Sequence, residues 1–205
     1  PGKSPIPCRC RPVYADDEDC EGEHAMPDWQ LHRDADSGFS LAVRGVDGIA
    51  VRARAIIGEA GLIAASKKRE GDRATPVGRW LLRHLYFRQD KVGQPVCCLP
   101  KTPITPVCGW CDDPASPAYN CHVTMPFAAS HETMWRDDGA YDLVVMLGYN
   151  DAPPEAGRGS AIFLHCIAPG KTATAGCVAV ARDDLLRFLA LAETGQALLV
   201  PDLTG

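Results

Sequence analysis

Two residues in the carboxy-terminal half, His165 and Cys177, have side chains that together can perform nucleophilic chemistry. They stand in Phe163-Leu164-His165 and, after eight residues, Thr174-Ala175-Gly176-Cys177-Val178. A thiol attacks as its thiolate, and an adjacent imidazole accepts the proton and balances the charge that forms. Gly176 lets substrate and backbone approach the sulfur, and a backbone N–H beside a nucleophile can hold an oxyanion. An inert reading fits the same spacing. With ten cysteines and six histidines, some Cys and His fall close in sequence anyway, and free Cys is among the most buried residue types.

The elements that must position these two residues are short and mostly extended. Phe39, Leu41 and Val43 alternate with Ser40, Ala42 and Arg44, and Val51, Ala53 and Ala55 alternate with Arg52, Arg54 and Ile56. Asp47-Gly48 lies between the two runs, so the pair reads as a β-hairpin. Leu143–Leu147, Ala161–Leu164 and Val178–Val180 are short apolar runs that read as buried strands. One helix is expected over Arg182–Thr194: Asp183 and Asp184 suit its first turn, Leu185, Leu186 and Leu189 share a face, and Gly195 stops it. Pro95, Pro100, Pro103, Pro106, Pro114 and Pro117 exclude a helix or a central strand from residues 95–117, which read as an ordered loop or flap. The expected fold is mainly β with one or two helices. Strands do not alternate with helices, so a doubly wound α/β sheet is excluded.

The 205 residues suffice for one core plus an extra segment. Residues 1–37 hold nine acidic and four basic side chains, leaving residues 38–205 with 17 of each sign. The first stretch therefore reads as an acidic, Cys-containing extension and residues 38–205 as the main domain, which holds His165 and Cys177. A net charge of -5 gives no footing for nucleic-acid binding. No apolar run approaches the roughly 18 residues of a membrane-spanning helix. The sequence opens Pro1-Gly2-Lys3 with no signal-peptide pattern. The abundance of cysteine favours an oxidising compartment, and so an exported protein whose signal is absent from this sequence.

Beyond the dyad, the run from His165 to Thr174-x-Gly176-Cys177 resembles the signature of the L,D-transpeptidases, the YkuD-domain family. Lys68-Arg69-Glu70-Gly71-Asp72 with Ala74-Thr75-Pro76-x-Gly78 is similar to the Thr-Pro-x-Gly segment of its short, single-domain bacterial branch. Gly109-Trp110-Cys111-Asp112, Tyr119-Asn120, Met134 to Asp142 and Gly148-Tyr149-Asn150 extend the likeness over residues 39–195. The resemblance implies a β-sandwich-like catalytic fold, Cys177 as nucleophile, and His165 as its base, oriented by a backbone carbonyl. It further implies an oxyanion site at the N–H groups of Gly176 and Cys177. No cofactor or metal is implied.

The implied substrates are peptidoglycan stem peptides. The thiol attacks the carbonyl after the L-centre of diaminopimelate, expels the terminal D-residue, and passes the acyl group to an amine of a second stem. Carbapenem β-lactams are the implied inhibitors, and the periplasm or cell envelope the implied location. Thr174, Tyr149, Asn150, His131, Trp135 and Arg136 are the implied substrate contacts. Two positions depart from the family pattern: Ala175, where many members have His, and Ala179, where many have Arg or Asn. Arg182 is a candidate cation in place of the latter. Thr75, Pro76 and Gly78 read most simply as a turn. Lys67, Lys68, Arg69 and Arg73 read as a solvated face or as a basic patch for stem-peptide carboxylates.

A free Cys177 leaves nine cysteines, an odd number, so another is unpaired, and Cys166 beside the base is the expected one. At most four disulfides remain among Cys8, Cys10, Cys20, Cys97, Cys98, Cys108, Cys111 and Cys121. Cys108-x-x-Cys111, or Cys8, Cys10, Cys20 and His24, also fit half or all of a zinc site. Two functional rivals stay open: a hydrolase using the same acyl-enzyme with water as acceptor, and a secreted binding module in which Cys177 is buried and inert.

Overall fold

A computed structural model describes residues 27–35, 38–44 and 50–202. Strands β1 (Trp29–Asp34), β2 (Gly38–Arg44), β3 (Ala50–Ile56) and β4 (Leu62–Ala64) lead to the long β5 (Thr75–Phe87). The short helix α1 (Gln89–Val92) is followed by β6 (Lys101–Pro103), β7 (Cys108–Cys111), β8 (His122–Thr124) and β9 (His131–Thr133). Strands β10 (Leu143–Leu147), β11 (Phe163–Cys166) and β12 (Val178–Val180), helix α2 (Arg182–Leu189) and β13 (Ala197–Val200) complete the chain.

Eight strands close on themselves in the order β10-β11-β12-β3-β2-β1-β13-β5, and β5 returns to β10. Closure leaves this ring without an unpaired edge, the main aggregation hazard of a sheet protein. The 13-residue length of β5 makes closure possible: Gly78–Leu81 pair with β13 and Leu82–Phe87 with β10. β4 and β6 add parallel pairings at its two ends. The expected mainly β fold is what forms. The β2–β3 register, Phe39 opposite Ala55 and Val43 opposite Val51, centres on position 47, where the Asp-Gly turn was expected. The turn itself lies outside the described residues.

Alternation sorts the side chains of β10 and β11 between two cores. Leu143, Val145, Leu164, Cys166, Val178 and Val180 join the ring's main core, to which α2 adds Leu185, Phe188 and Leu189. Their neighbours Val144, Phe163 and Cys177 face the opposite way, into a second cluster with Trp110, Met134 and Tyr141. The small sheet β8-β7-β9 covers that outer face, and Trp110 meets Phe163 edge-on at 5.0 Å. Truncating a fully buried aromatic such as Trp110 costs about 3–5 kcal/mol, because the cavity adds to the lost transfer energy.

Several expectations need correction. Residues 1–37 are not all extension: β1 pairs with β2 and β13, and Trp29 is fully buried against Phe188 at 5.3 Å. The remainder of the extension, residues 1–26, lies outside the described residues. The helix ends at Leu189 and not Thr194, since Leu191 and Ala192 make tighter bonds to Phe188 and Leu189 and Gly195 turns at φ 86°. The Pro-rich segment contains β6 and also β7, the central strand of the small sheet. Its prolines flank β7 and none falls within it, so every ladder N–H is kept. The second apolar run is a strand two residues later than expected, over Phe163–Cys166, because Ala161 adopts a left-handed φ of 52°.

The cysteines of this region also differ from expectation. Cys97, Cys98, Cys108 and Cys111 are free thiols and not disulfide partners. The Cys108 sulfur instead takes the Thr105 N–H at 3.3 Å. Cys108 and Cys111 gather no further ligands, and among the described residues no group of three His, Cys, Asp or Glu is placed to hold a metal ion. Cys8, Cys10, Cys20 and His24 lie outside the described residues.

Candidate active site

β11 and β12 run parallel with His165 opposite Ala179. Cys177 stands two residues before Ala179, so it shares the outward face with His165 on the neighbouring strand, a diagonal of about 8 Å between backbones. Both line one cleft of about 360 Å³ on the outside of the ring. The short apolar strands thus hold the dyad by register, and the small sheet roofs the cluster beneath it.

The imidazole is fixed by its backbone. Nδ1 lies 2.9 Å from the Cys166 carbonyl, so Nδ1 carries the proton and Nε2 keeps its lone pair. Burial lowers the His165 pKa to about 4, with the bond to the Cys166 carbonyl opposing the shift. Burial pushes the Cys177 thiol up to about 12, and the Glu132 carboxylate adds to that rise. At neutral pH the resting dyad is therefore a thiol and a neutral imidazole, not the ion pair that Cys/His spacing suggests. The thiol donates to the Ala161 carbonyl at 3.1 Å and receives the Phe163 N–H at 3.4 Å.

Three polar side chains hold the Cys177 segment in place. Thr174 Oγ1 donates to the Cys177 carbonyl at 2.6 Å and accepts the Gly176 N–H at 3.1 Å. The Gly176 amide is thus engaged in the resting protein, which leaves the amide of Cys177 nearest the sulfur for an oxyanion. Thr75 Oγ1 donates to the Gly176 carbonyl at 2.8 Å and accepts the Gly58 N–H at 2.9 Å, so it clamps three segments and does more than shape a turn. Gly58 has no room for a side chain there, because a Cβ would fall 2.3 Å from the Arg73 carbonyl. Asn120 is the third. Its Oδ1 accepts both the Trp110 indole N–H and the Ala161 N–H at 2.9 Å, and its amide donates to the carbonyls of Tyr149 and Asn150. Asn120 thereby holds Ala161 in the left-handed conformation that presents its carbonyl to the thiol.

The other expected contacts separate. Arg136 lines the cleft, paired with Asp138 at 2.5 Å and lying 4.9 Å over the Tyr141 ring. Tyr149 and Asn150 border a different depression, where the Tyr149 hydroxyl donates to the Arg158 carbonyl and Asn150 braces the loop at Glu155 and Gly159. Trp135 lies under the Arg88 guanidinium at 3.5 Å. His131 faces the Ala129 carbonyl at 2.8 Å and is not among the cleft-lining residues. Arg182 pairs with Asp142 at 3.4 Å beside a third depression that Cys177 does not line. Lys68, read as part of a solvated face or patch, is buried and bonded to Asp72 at 2.5 Å.

Sequence reasoning missed the acids of the cleft. Glu70, Asp112 and Glu132 all line it. Glu70 accepts the hydroxyls of Tyr119 and Ser160 at 2.5 and 2.7 Å, and Glu132 accepts that of Tyr141. Burial raises the Glu132 pKa, and the charges of Asp112 and Glu70 raise it further. Glu70 and Asp112 stood inside motif blocks, but nothing in the sequence around Glu132 marks it.

A family model described as the L,D-transpeptidase catalytic domain, YkuD, matches residues 37–200. No curated protein and no solved structure matches the chain.

Proposed function

The chain belongs to the L,D-transpeptidase catalytic-domain family, and from that premise we propose that it cross-links peptidoglycan stem peptides through an acyl-thioester on Cys177. One observation carries the reading: an imidazole whose Nδ1 is held by a backbone carbonyl and a buried thiol line the same cleft, one from β11 and the other from the residue before β12.

With a donor stem bound, the Cys177 S–H proton passes to His165 Nε2 as the sulfur attacks the carbonyl carbon after the L-centre. The developing oxyanion is held by the Cys177 N–H. Collapse breaks the C–N bond, and His165 returns the proton to the departing amine of the terminal D-residue. An amine of a second stem then attacks the thioester, His165 takes its proton, and that proton returns to sulfur as the C–S bond breaks. A new amide and the free thiol result. Because the resting pair is neutral, the proton moves during attack and not before it. The implied site of action is the cell envelope.

Incubation with defined muropeptides, read by mass, tests this. Cross-linked dimers are the expected product. Trimmed monomers alone identify a hydrolase, and an unchanged mixture on folded, reduced protein refutes acyl transfer. A carbapenem adduct on Cys177 that disappears in Cys177→Ala is the matching covalent readout.

A further inference from the structure

The depression beyond the end of β10, about 260 Å³ in volume, has no part in the acyl-transfer chemistry above. Trp80, Tyr149, Asp151, Glu155 and Arg158 line it. Trp80 is only partly buried yet firmly held: its indole N–H donates to the Pro76 carbonyl at 2.9 Å, and Tyr149 meets it edge-on at 4.9 Å. The indole lies across Gly78, where a Cβ would collide with three of its carbons. The Thr75-Pro76-x-Gly78 block therefore divides: Thr75 clamps the Cys177 segment, while Pro76 and Gly78 seat a rigid aromatic platform.

The polar groups around the platform indicate what it takes. Asp151 pairs with Arg83 at 2.9 Å and Glu155 with Arg158 at 3.3 Å, so an ionic ligand would leave one charge uncompensated. Arg158 Nη2 donates to the Ala65 carbonyl at 3.3 Å, and its Nε, shielded from solvent, has no hydrogen-bond partner among the described residues. A fixed indole ringed by carboxylates and a guanidinium suits a neutral molecule with an apolar face and hydroxyls along its edge. A pyranose has that form. The volume lies below the roughly 300 Å³ of a drug-sized pocket, which fits one ring of a longer chain.

We propose that this depression is a saccharide subsite, in which Trp80 stacks on one neutral pyranose of the glycan strand that bears the donor stem and Arg158, Glu155 and Asp151 bond its hydroxyls. The assignment of the sugar to a glycan strand rests on the peptidoglycan reading above. A single loop joins the subsite to the cleft, since Arg158 lines the former and Ser160 and Ala161 line the latter. Two residues of chain span at most about 7 Å. A sugar seated on Trp80 thus places its attached stem within a few residues' reach of Cys177.

The first arm of the test needs no turnover: N,N′-diacetylchitobiose is titrated into the folded protein and followed by the NMR shift of the Trp80 indole N–H. Saturable binding is expected, weakened about tenfold in Trp80→Leu and in Arg158→Gln, the effect of one stacking or charge-assisted contact. Arg158 is partly exposed, so its variant decides the matter even if Trp80→Leu fails to fold. No shift, or unchanged affinity in Arg158→Gln, overturns the subsite, and displacement of the sugar by a bare stem peptide overturns it in favour of a peptide. The second arm compares donor stems with and without their disaccharide, scored by thioester formed on Cys177 in single turnovers. The disaccharide should lower the half-saturating concentration about tenfold in the wild type and much less in Arg158→Gln. Equal half-saturation in the wild type overturns the link to the donor's glycan. If neither donor forms a thioester while the disaccharide still shifts Trp80, the acyl-transfer reading fails and the saccharide subsite stands.

Discussion

Cys166 ends β11 and Cys177 directly precedes the neighbouring β12, and burial pushes both thiols up to about 12. Their surroundings are otherwise opposite. Cys166 points into the main core, 1% exposed, with only a 3.9 Å contact to the Leu143 carbonyl. Cys177 points the other way, into a cleft that His165 also lines. Acidity does not separate the two sulfurs; strand parity does. A one-residue slip of β11 against β12 would exchange faces, placing His165 in the core and Cys166 at the cleft.

The largest test of this contrast is to remove each sulfur in turn. Cys177→Ala should reduce acyl transfer by at least about 10³-fold with little change in stability, as expected for a nucleophile. Cys166→Ala should keep the activity and cost about 1 kcal/mol on denaturant unfolding. Loss of activity in Cys166→Ala with the fold intact would erase the distinction. Next in size is His165→Gln, which should lower thioester formation about 10²–10⁴-fold, the usual worth of a general base. An equal loss of muropeptide binding would move His165 to a structural role.

Asn120→Ala probes what positions the outward cysteine alone. It strands the Trp110 and Ala161 N–H groups, so a destabilisation of about 3 kcal/mol is expected on thermal or chaotrope unfolding. Acylation at Cys177 should slow as well, because the carbonyl that orients the thiol is freed. The smallest effect concerns protonation. Iodoacetamide should label Cys177 faster than Cys166 in the folded protein, at a rate rising about tenfold per pH unit from 7 to 10, as for a neutral thiol with a pKa near 12. A plateau across that range would reveal a resting thiolate–imidazolium pair. On the acid side, acyl transfer should hold until His165 protonates near pH 4. Loss already near pH 6.5 would mean that the imidazole is not buried as described.

Much of the site was legible because its chemistry is local. His165, Thr174, Gly176 and Cys177 lie within 13 residues, and short apolar runs flank them, so that His165 falls on β11 and Cys177 directly before β12. The acids were not legible, since Glu132 reaches the cleft only through the pairing of β9 with β7, which stacks Glu132 opposite Trp110. Tyr149 and Asn150 show the reverse case, bordering a depression that Cys177 does not line. Their motif is local, yet their polar groups are spent on the 155–159 loop. Trp29 was missed because the acidic run before it obscures one short strand, whose partner β13 lies near the other end of the sequence.

By itself the sequence determined which residues can do chemistry, the mainly β character and the family, because side-chain types, period-two alternation and motif order are properties of neighbouring residues. Only the tertiary structure decided which of two high-pKa thiols faces the imidazole, that the resting pair is uncharged, and that Glu132 and Asp112 share the cleft. Those outcomes depend on burial and on pairings between distant strands. Desolvation and Coulomb fields exist only once the chain has closed around them.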